Sequence, residues 1–170
     1  MDEEYVHHVD REDRVIGRIA RSEAHRRGLL HRAGCVVVRN RQGDVFVTRR
    51  SGTKSIFASH WDLACSFHVS WGETYAEAAE RELLEETGLQ GKPQELGGFV
   101  VDEDPDHLVV RVYVLDHEGP LQLDPVEFEW GAFMTQAEVE DKLAEGPATS
   151  WFGPAWTIYT CDTVGDRADR

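Results

Sequence analysis

The chain has 170 residues, a length that fits one domain with a sizeable buried core. Its 41% apolar share and mean hydropathy of −0.47 are ordinary for a globular protein, and no apolar run approaches the ~20 residues that a membrane helix needs. The opening MDEEYVHHVDRED is acidic and lacks the apolar core of a signal peptide, so the sequence predicts a cytoplasmic protein.

The formal net charge is −14, from 18 basic and 32 acidic side chains. Such a field repels DNA and RNA backbones, which argues against a nucleic-acid polymer as partner. It also concentrates divalent cations near any cleft lined by carboxylates. No feature of the sequence predicts a membrane or an obligate protein partner, whereas a small phosphorylated molecule remains compatible if a local basic patch meets it.

The first third of the chain predicts an extension followed by a hairpin. Residues 1–30 are polar and form an N-terminal extension, in which Gly28 is placed to end a short helix. The run AGCVVV at 33–38 predicts a buried strand, and NRQG at 40–43 predicts a turn. Residues 44–49 alternate apolar and polar side chains, as a partner strand does.

A helix is predicted from Thr74 to Thr87, because Thr74 and Glu77 have the spacing of a capping box and Gly88 follows the last turn. Ala76, Ala79 and Leu83 recur at helical spacing and predict its core face. Later patterns predict strands at 98–101, 108–115 and 128–133, a helix at 136–144 and another in the tail WFGPAWTIY. Together they predict an α/β fold, a sandwich with a mixed β-sheet between helices.

Three carboxylates, Glu82, Glu85 and Glu86, share one face of the predicted helix, since they stand at i, i+3 and i+4. Like charges at this spacing repel by a few tenths of a kcal/mol per pair. A solvated acidic face is the ordinary interpretation. A hard divalent cation, which prefers oxygen ligands, is the alternative that offsets the repulsion.

The surrounding residues favour the cation. Glu73 and Arg81 flank the three carboxylates, and an ion pair between them would hold the loop-to-helix geometry. The stretch from Phe67 to Leu89, FHVSWGETYAEAAERELLEETGL, resembles the Nudix box: a Gly, five residues, Glu, seven residues, then R-E-apolar-x-E-E-x-G-apolar. The positions that match are Glu73, Arg81, Glu82, Leu83, Glu85, Glu86, Gly88 and Leu89. The resemblance implies the Nudix α/β/α sandwich, one domain over 1–170 with residues 1–30 packed on it.

Phe67 departs from this pattern, because the family carries Gly there. A Gly permits a positive φ or a close backbone approach. Phe67 is therefore expected to rearrange the loop, to alter its metal contact, or to place an aromatic ring against the substrate. Loss of activity, leaving a Nudix-fold binding protein, is one alternative.

The segment 21–89 also resembles the branch of the superfamily that includes isopentenyl diphosphate isomerase and its hydrolase-like relatives. That resemblance implies that Arg21, Arg50 and Lys54 hold a diphosphate. It further implies that His25, His31 and His68 surround a second metal, although structural histidines are the ordinary interpretation. Arg50 and Lys54 also form a basic island in an acidic chain, as phosphate-clamping groups do.

The isomerase chemistry itself lacks its residues. The branch implies a Cys in the position that Ser66 holds here, and Cys65, one residue away, should point to the opposite face of a strand. Where the isomerase has two Glu residues before a later strand, this chain has Asp104 and Asp106. The sequence therefore predicts a hydrolase, with an isomerase as an alternative.

The predicted reaction is attack of a metal-activated water on a phosphorus atom of a nucleoside di- or triphosphate, giving a nucleoside monophosphate. Mg²⁺, or Mn²⁺ in its place, is expected on Glu82, Glu85 and Glu86. Glu127 matches the later-loop position of the general base in related hydrolases, and Glu129 and Glu86 are its competitors. Candidate stacking platforms for a base are the aromatics Phe57, Trp61, Phe67, Trp71, Phe152 and Trp156.

Overall fold

A computed structural model describes residues 3–168. These residues form nine strands and four helices. In chain order the elements are β1 (Tyr5–Val9), β2 (Val15–Ala20), α1 (Arg21–Arg27), β3 (His31–Arg39), β4 (Val45–Arg50), β5 (Trp61–Leu63), β6 (Cys65–His68), α2 (Tyr75–Thr87), β7 (Gln94–Glu103), β8 (Asp106–Asp116), β9 (Phe128–Met134), α3 (Gln136–Glu145) and α4 (Phe152–Ala168). Among the described residues, no helix is long and apolar enough to cross a membrane.

The sheet is mixed and is built around β3. Strand β8 runs parallel to β3 over nine positions, from His31 opposite Leu108 to Arg39 opposite Asp116. The pairs β3–β6, β7–β8 and β4–β9 are antiparallel. The predicted mixed sheet is therefore confirmed, and β3 brings β6 and β8 to its two sides.

Helices cover both faces of this sheet. Alternate side chains of β3 point to opposite faces and therefore contribute to two separate core clusters. Val36 and Val38 belong to the core cluster that contains Leu83 of α2. Cys35 and Val37 belong to the opposite cluster, with Phe152 and Trp156 of α4 and Val139 of α3. The α/β sandwich predicted from the sequence is confirmed.

Helix α2 has the predicted caps. The hydroxyl of Thr74 accepts a hydrogen bond from the backbone N–H of Glu77, the reciprocal bond is present, and Gly88 ends the helix in the left-handed conformation at φ 70°. The predicted core face is wrong in one position: Ala76 is exposed, whereas Ala78 is buried with Ala79 and Leu83. The buried residues of α2 are Ala78, Ala79, Leu83 and Thr87.

The N-terminal segment contains a hairpin that the sequence did not predict. Strands β1 and β2 pair with each other, and β1 pairs with β3 at His8 opposite His31. The predicted short helix is present as α1, with Gly28 as its left-handed C-cap. This arrangement places α1 beside the end of β3.

Candidate active site

A cleft opens where α2, the sheet and the N-terminal segment meet. Its lining combines carboxylates, cations and an apolar floor: Glu4, Arg21, Ala33, Gly34, Arg50, Lys54, Ser66, Phe67, His68, Glu82, Glu86, Leu108, Val110, Glu127 and Trp151. Most of the predicted site residues therefore lie in one place. The exceptions are Glu73, Arg81 and Glu85, which do not line the cleft.

Of the four carboxylates that line this cleft, Glu82 and Glu86 come from α2 and Glu127 comes from the loop before β9, while Glu4 belongs to the N-terminal segment. The Oε2 atom of Glu86 is buried and has no hydrogen-bond partner within residues 3–168. Burial, and then the charges of Glu82 and Glu127, raises the pKa of Glu86 well above its ordinary value. A cation would supply the missing partner and stabilise the ionised form, so the donor set fits a divalent metal ion.

Arg81 forms hydrogen bonds with three carboxylates of the box, those of Glu73, Glu82 and Glu85. Its Nε and Nη2 donate to the two oxygens of Glu73 at 2.6 and 2.9 Å, which is the ion pair expected from the sequence. Its Nη1 donates to Glu82 at 2.6 Å and to Glu85 at 3.3 Å. The Arg81 hydrogen bond holds the pKa of Glu73 below its ordinary value. Glu85 is 59% exposed and stands beside Arg81, so only Glu82 and Glu86 of the three reach the cleft.

Each predicted phosphate-binding cation lines the cleft and has a carboxylate partner. Nη1 of Arg21 donates to Glu4 at 2.7 Å, and Nζ of Lys54 donates to Glu127 at 2.6 Å. Arg50 is more deeply placed, with a side chain 12% exposed and Nη1 3.4 Å from Asp62. The Nε of Arg50 is buried and has no hydrogen-bond partner among the described residues, so this charged donor is unsatisfied.

Glu129, another candidate for the general base, lies outside the cleft. It pairs with Arg49 at 3.0 Å and accepts a hydrogen bond from Ser59, and it does not line the cleft. Glu127 and Glu86 both do. The geometry therefore favours these two over Glu129.

Phe67 fits the fold without disturbing the loop, contrary to one of the expectations for this departure. It lies in regular strand β6, opposite Gly34 of β3, and is buried. A Cβ added to Gly34 would lie 2.8 Å from Cε2 of Phe67, so the ring occupies the space that Gly34 leaves open. Phe67 lines the floor of the cleft beside Val110.

The three histidines form a compact cluster next to the carboxylates. One ring nitrogen from each of His25, His31 and His68 lies within 4.8 Å of the others. Desolvation lowers the pKa of all three, that of His31 to about 4. The Nδ1 of His25 and the Nε2 of His31 are buried and have no hydrogen-bond partner in the part of the chain that the structure describes. Neutral imidazoles with free nitrogens fit the second metal that the resemblance implies, and this site stays a prediction.

The isomerase positions are arranged as the sequence suggested. Ser66 lines the cleft and donates to Asp62 at 2.9 Å, whereas the Cys65 thiol is buried and interacts with Glu86. Asp106 accepts a hydrogen bond from Ser150, and the fully exposed Asp104 contacts His107. A serine hydroxyl thus occupies the position where the isomerase branch has its thiol.

Of the six aromatic candidates for stacking, only Phe67 lines the cleft. Phe152 and Trp156 belong to the core between the sheet and α4, and Trp61 packs against that core. The sequence missed Trp151, which does line the cleft. It also missed Glu4 and the buried Asp62, because neither belongs to a recognisable motif.

Comparison with known proteins agrees with this geometry. The family model of the NUDIX domain matches residues 29–152. The chain is 37% identical over 140 residues to an uncharacterized Nudix hydrolase of Streptomyces coelicolor, covering 81% of this chain and 77% of that protein.

Two further proteins are similar over most of the chain. An isopentenyl-diphosphate Delta-isomerase of Serratia proteamaculans is 29% identical over 155 residues, covering 85% of this chain and 84% of that one. A crystal structure of a Deinococcus radiodurans protein superposes with a TM-score of 0.79 at 28% identity, covering 93% and 99%. Nudix enzymes generally use a divalent metal and bind small nucleotide-like substrates. The chain belongs to the Nudix family and is a hydrolase that acts on pyrophosphate bonds.

Proposed function

We propose that this protein is a Mg²⁺-dependent pyrophosphohydrolase that converts small nucleotides, chiefly nucleoside di- or triphosphates, into nucleoside monophosphates. The observation that carries the proposal is the juxtaposition of Glu82, Glu86 and Glu127 with three cations in one cleft. Carboxylates suit a hard metal ion, and the cations suit the phosphates that the ion accompanies. Mn²⁺ is the natural substitute.

The three cations that bind the diphosphate are Arg21, Arg50 and Lys54. Arg50 lines the cleft with a buried Nε that lacks a partner among the described residues, while Arg21 and Lys54 reach the cleft from the N-terminal segment and from the loop after β4. Arg21 and Lys54 are half-exposed and their partners Glu4 and Glu127 are accessible, so both ion pairs can exchange for phosphate. Binding would then free the carboxylate of Glu127.

The released Glu127 is the proposed general base. It accepts a proton from the attacking water as the water oxygen forms a bond to phosphorus, and the bridging P–O bond breaks with its electron pair on the leaving phosphate. A bound divalent ion lowers the pKa of water and neutralises charge on the phosphoryl oxygens. Glu86 and Glu82, with Glu85 at the edge of the site, are the proposed ligands, and Arg81 with Glu73 fixes Glu82.

An isomerase is the second candidate, and Ser66 argues against it. A serine hydroxyl is a far weaker acid than a thiol, and this one already donates to Asp62. Isopentenyl diphosphate is therefore included in the assay as an alternative substrate. Dimethylallyl diphosphate is the product that an isomerase would form from it.

The test is a panel of nucleoside di- and triphosphates with Mg²⁺, followed by separation of the phosphate products. The proposal expects a nucleoside monophosphate, loss of turnover with chelator and recovery with Mg²⁺. No product from any nucleotide by a verified folded protein would overturn it. Formation of dimethylallyl diphosphate would establish the isomerase instead.

A further inference from the structure

Asp62 lies beneath the cleft, in strand β5, and no part of its side chain reaches solvent. A buried carboxylate is expensive unless it is paired and fully hydrogen-bonded. Neither the Nudix box nor the proposed chemistry uses it. The hydrogen-bond donors around its carboxylate indicate its role.

Both oxygens of Asp62 are occupied by donors from different elements. Oδ1 accepts from the backbone N–H of Leu63 at 2.8 Å, from the hydroxyl of Thr149 at 3.3 Å and from the indole Nε1 of Trp151 at 2.8 Å. Oδ2 accepts from Ser66 at 2.9 Å and from Nη1 of Arg50 at 3.4 Å. The amide, the indole and the guanidinium can only donate, so the ionised carboxylate is the form that this environment accommodates.

Three of these donors, Arg50, Ser66 and Trp151, also line the cleft. The guanidinium carbon of Arg50 is 5.7 Å from the ring centre of Trp151, close enough for a cation–π contact. Apart from Asp62, the guanidinium of Arg50 donates to the backbone carbonyl of Ile56 at 3.5 Å. Among the residues that the structure describes, Asp62 is thus the one carboxylate that forms a salt bridge with the guanidinium of Arg50.

We infer that Asp62 is a positioning residue, which holds Arg50 and Trp151 so that the unpartnered Nε of Arg50 faces the diphosphate. The inference rests on the proposed function for the identity of the ligand. Asp62 contributes no atom to the reaction. It acts by restricting the orientations of a long cation before the phosphate arrives.

The first test compares Asp62→Asn with Thr48→Val. The hydroxyl of Thr48 is buried and donates to the backbone carbonyl of Leu63 at 2.6 Å, so this control perturbs the same strand without touching the carboxylate. Binding of methylenediphosphonate, a diphosphate that cannot be hydrolysed, is measured by calorimetry in the presence of Mg²⁺. We expect Kd to rise roughly tenfold or more in Asp62→Asn and to stay within about twofold in Thr48→Val, although both lower Tm.

The second test separates positioning from structural support. In an Arg50→Met background, adding Asp62→Asn should leave Kd unchanged within about twofold, because no guanidinium remains to be held. It should also raise Tm, since Arg50→Met leaves a buried carboxylate without its counter-charge. This comparison stands even if Asp62→Asn alone does not fold.

The outcomes are distinct from those of the proposed function. Wild-type affinity in Asp62→Asn, or an equal loss of affinity in both backgrounds, would overturn the inference, as would a wild-type protein that does not bind methylenediphosphonate. A protein that binds it but hydrolyses no nucleotide would refute the proposed reaction and leave the role of Asp62 intact. In an active enzyme, Asp62→Asn should raise KM more than it lowers kcat.

Discussion

At the scale of single residues, Glu86 combines deep burial, two neighbouring carboxylates and an oxygen without a partner. Folding has concentrated negative charge at this point against the electrostatic cost. Glu86→Gln removes the charge and keeps the shape. We predict that kcat falls by about 10²- to 10⁴-fold while Tm stays the same or rises, because the lost charge serves the reaction and its removal relieves an electrostatic cost.

The matched control is Glu80→Gln, which makes the same change on an exposed position of α2. Steady-state kinetics and thermal unfolding of both variants give the comparison. Turnover of Glu86→Gln at the rate of Glu80→Gln would show that Glu86 has no part in the chemistry.

Gly34 and Phe67 form a complementary pair across β3 and β6, with the ring seated where a side chain would otherwise be. Gly34→Ala should destabilise the protein by roughly 1–3 kcal/mol, because its methyl group overlaps the ring. In a Phe67→Ala background the same change should cost much less. Denaturant unfolding of the single and double variants measures this coupling, and additive effects would contradict the pairing.

The residue scale is also where prediction from sequence was uneven. The box spacing located Arg81, Glu82 and Glu86, because one helix fixes their relative positions. Asp62 and Trp151 are 89 positions apart and meet only through the fold, so no local pattern could link them. Phe67 was interpreted through what its own backbone could do, whereas the accommodating residue is Gly34 on another strand.

At the scale of elements, caps and hydrophobic periods were the dependable signals. Thr74 with Glu77 and Gly88 placed the end of α2 at Thr87, as observed, and its start one residue early, at the N-cap, since capping chemistry is local. Strands β1 and β2 escaped prediction because β1 buries His7 among its apolar side chains and β2 exposes Val15 and Ile16. Their pairing depends on β3, and a strand without a clean period-2 pattern carries little signal of its own.

The β7–β8 hairpin carries a histidine that should make stability depend on pH. Nδ1 of His107 is 2.8 Å from Asp102 and Nε2 is 3.2 Å from Asp104. The Asp102 hydrogen bond, the largest cause, raises the pKa of His107 above its ordinary 6.5. The folded state therefore holds this proton more tightly, and the resulting stability is present below pH 6.5 and lost as pH rises through the folded-state pKa.

We predict that wild type exceeds Asp102→Asn in Tm by more at pH 6 than at pH 9. Asp102 also pairs with Arg11, but that contribution does not change over this range. The cluster of buried histidines affects both proteins alike and cancels in the difference. Asp104→Asn, at a fully exposed side chain, is the control and should show a smaller trend. A difference in Tm that is constant with pH would refute the assignment.

At the scale of the whole molecule, the lining of the cleft extends beyond the segment that the family model matches. That segment begins at residue 29, yet Glu4 and Arg21 line the cleft and α1 contributes His25 to the histidine cluster. Asp13 ties the hairpin to the sheet through Arg32 at 2.7 Å and Arg111 at 3.2 Å. We accordingly propose that residues 1–30 and the rest of the chain act as one domain.

Substitution of Arg21 tests that proposal, and it needs a control because the protein is strongly acidic. Removing any cation shifts the net charge from −14 to −15, which by itself weakens attraction of an anionic substrate. Arg18→Met controls for this effect, because Arg18 stacks on Tyr5 and does not line the cleft. We predict that Arg21→Met raises KM for the nucleotide roughly tenfold, while Arg18→Met changes it less than about twofold. Steady-state kinetics at two ionic strengths distinguish an effect of net charge from the loss of a direct contact with phosphate. Salt screens the long-range effect of charge, whereas it largely does not screen a direct contact. Equal effects of the two substitutions would mean that the N-terminal segment contributes only its charge, and that the phosphate site is complete without it.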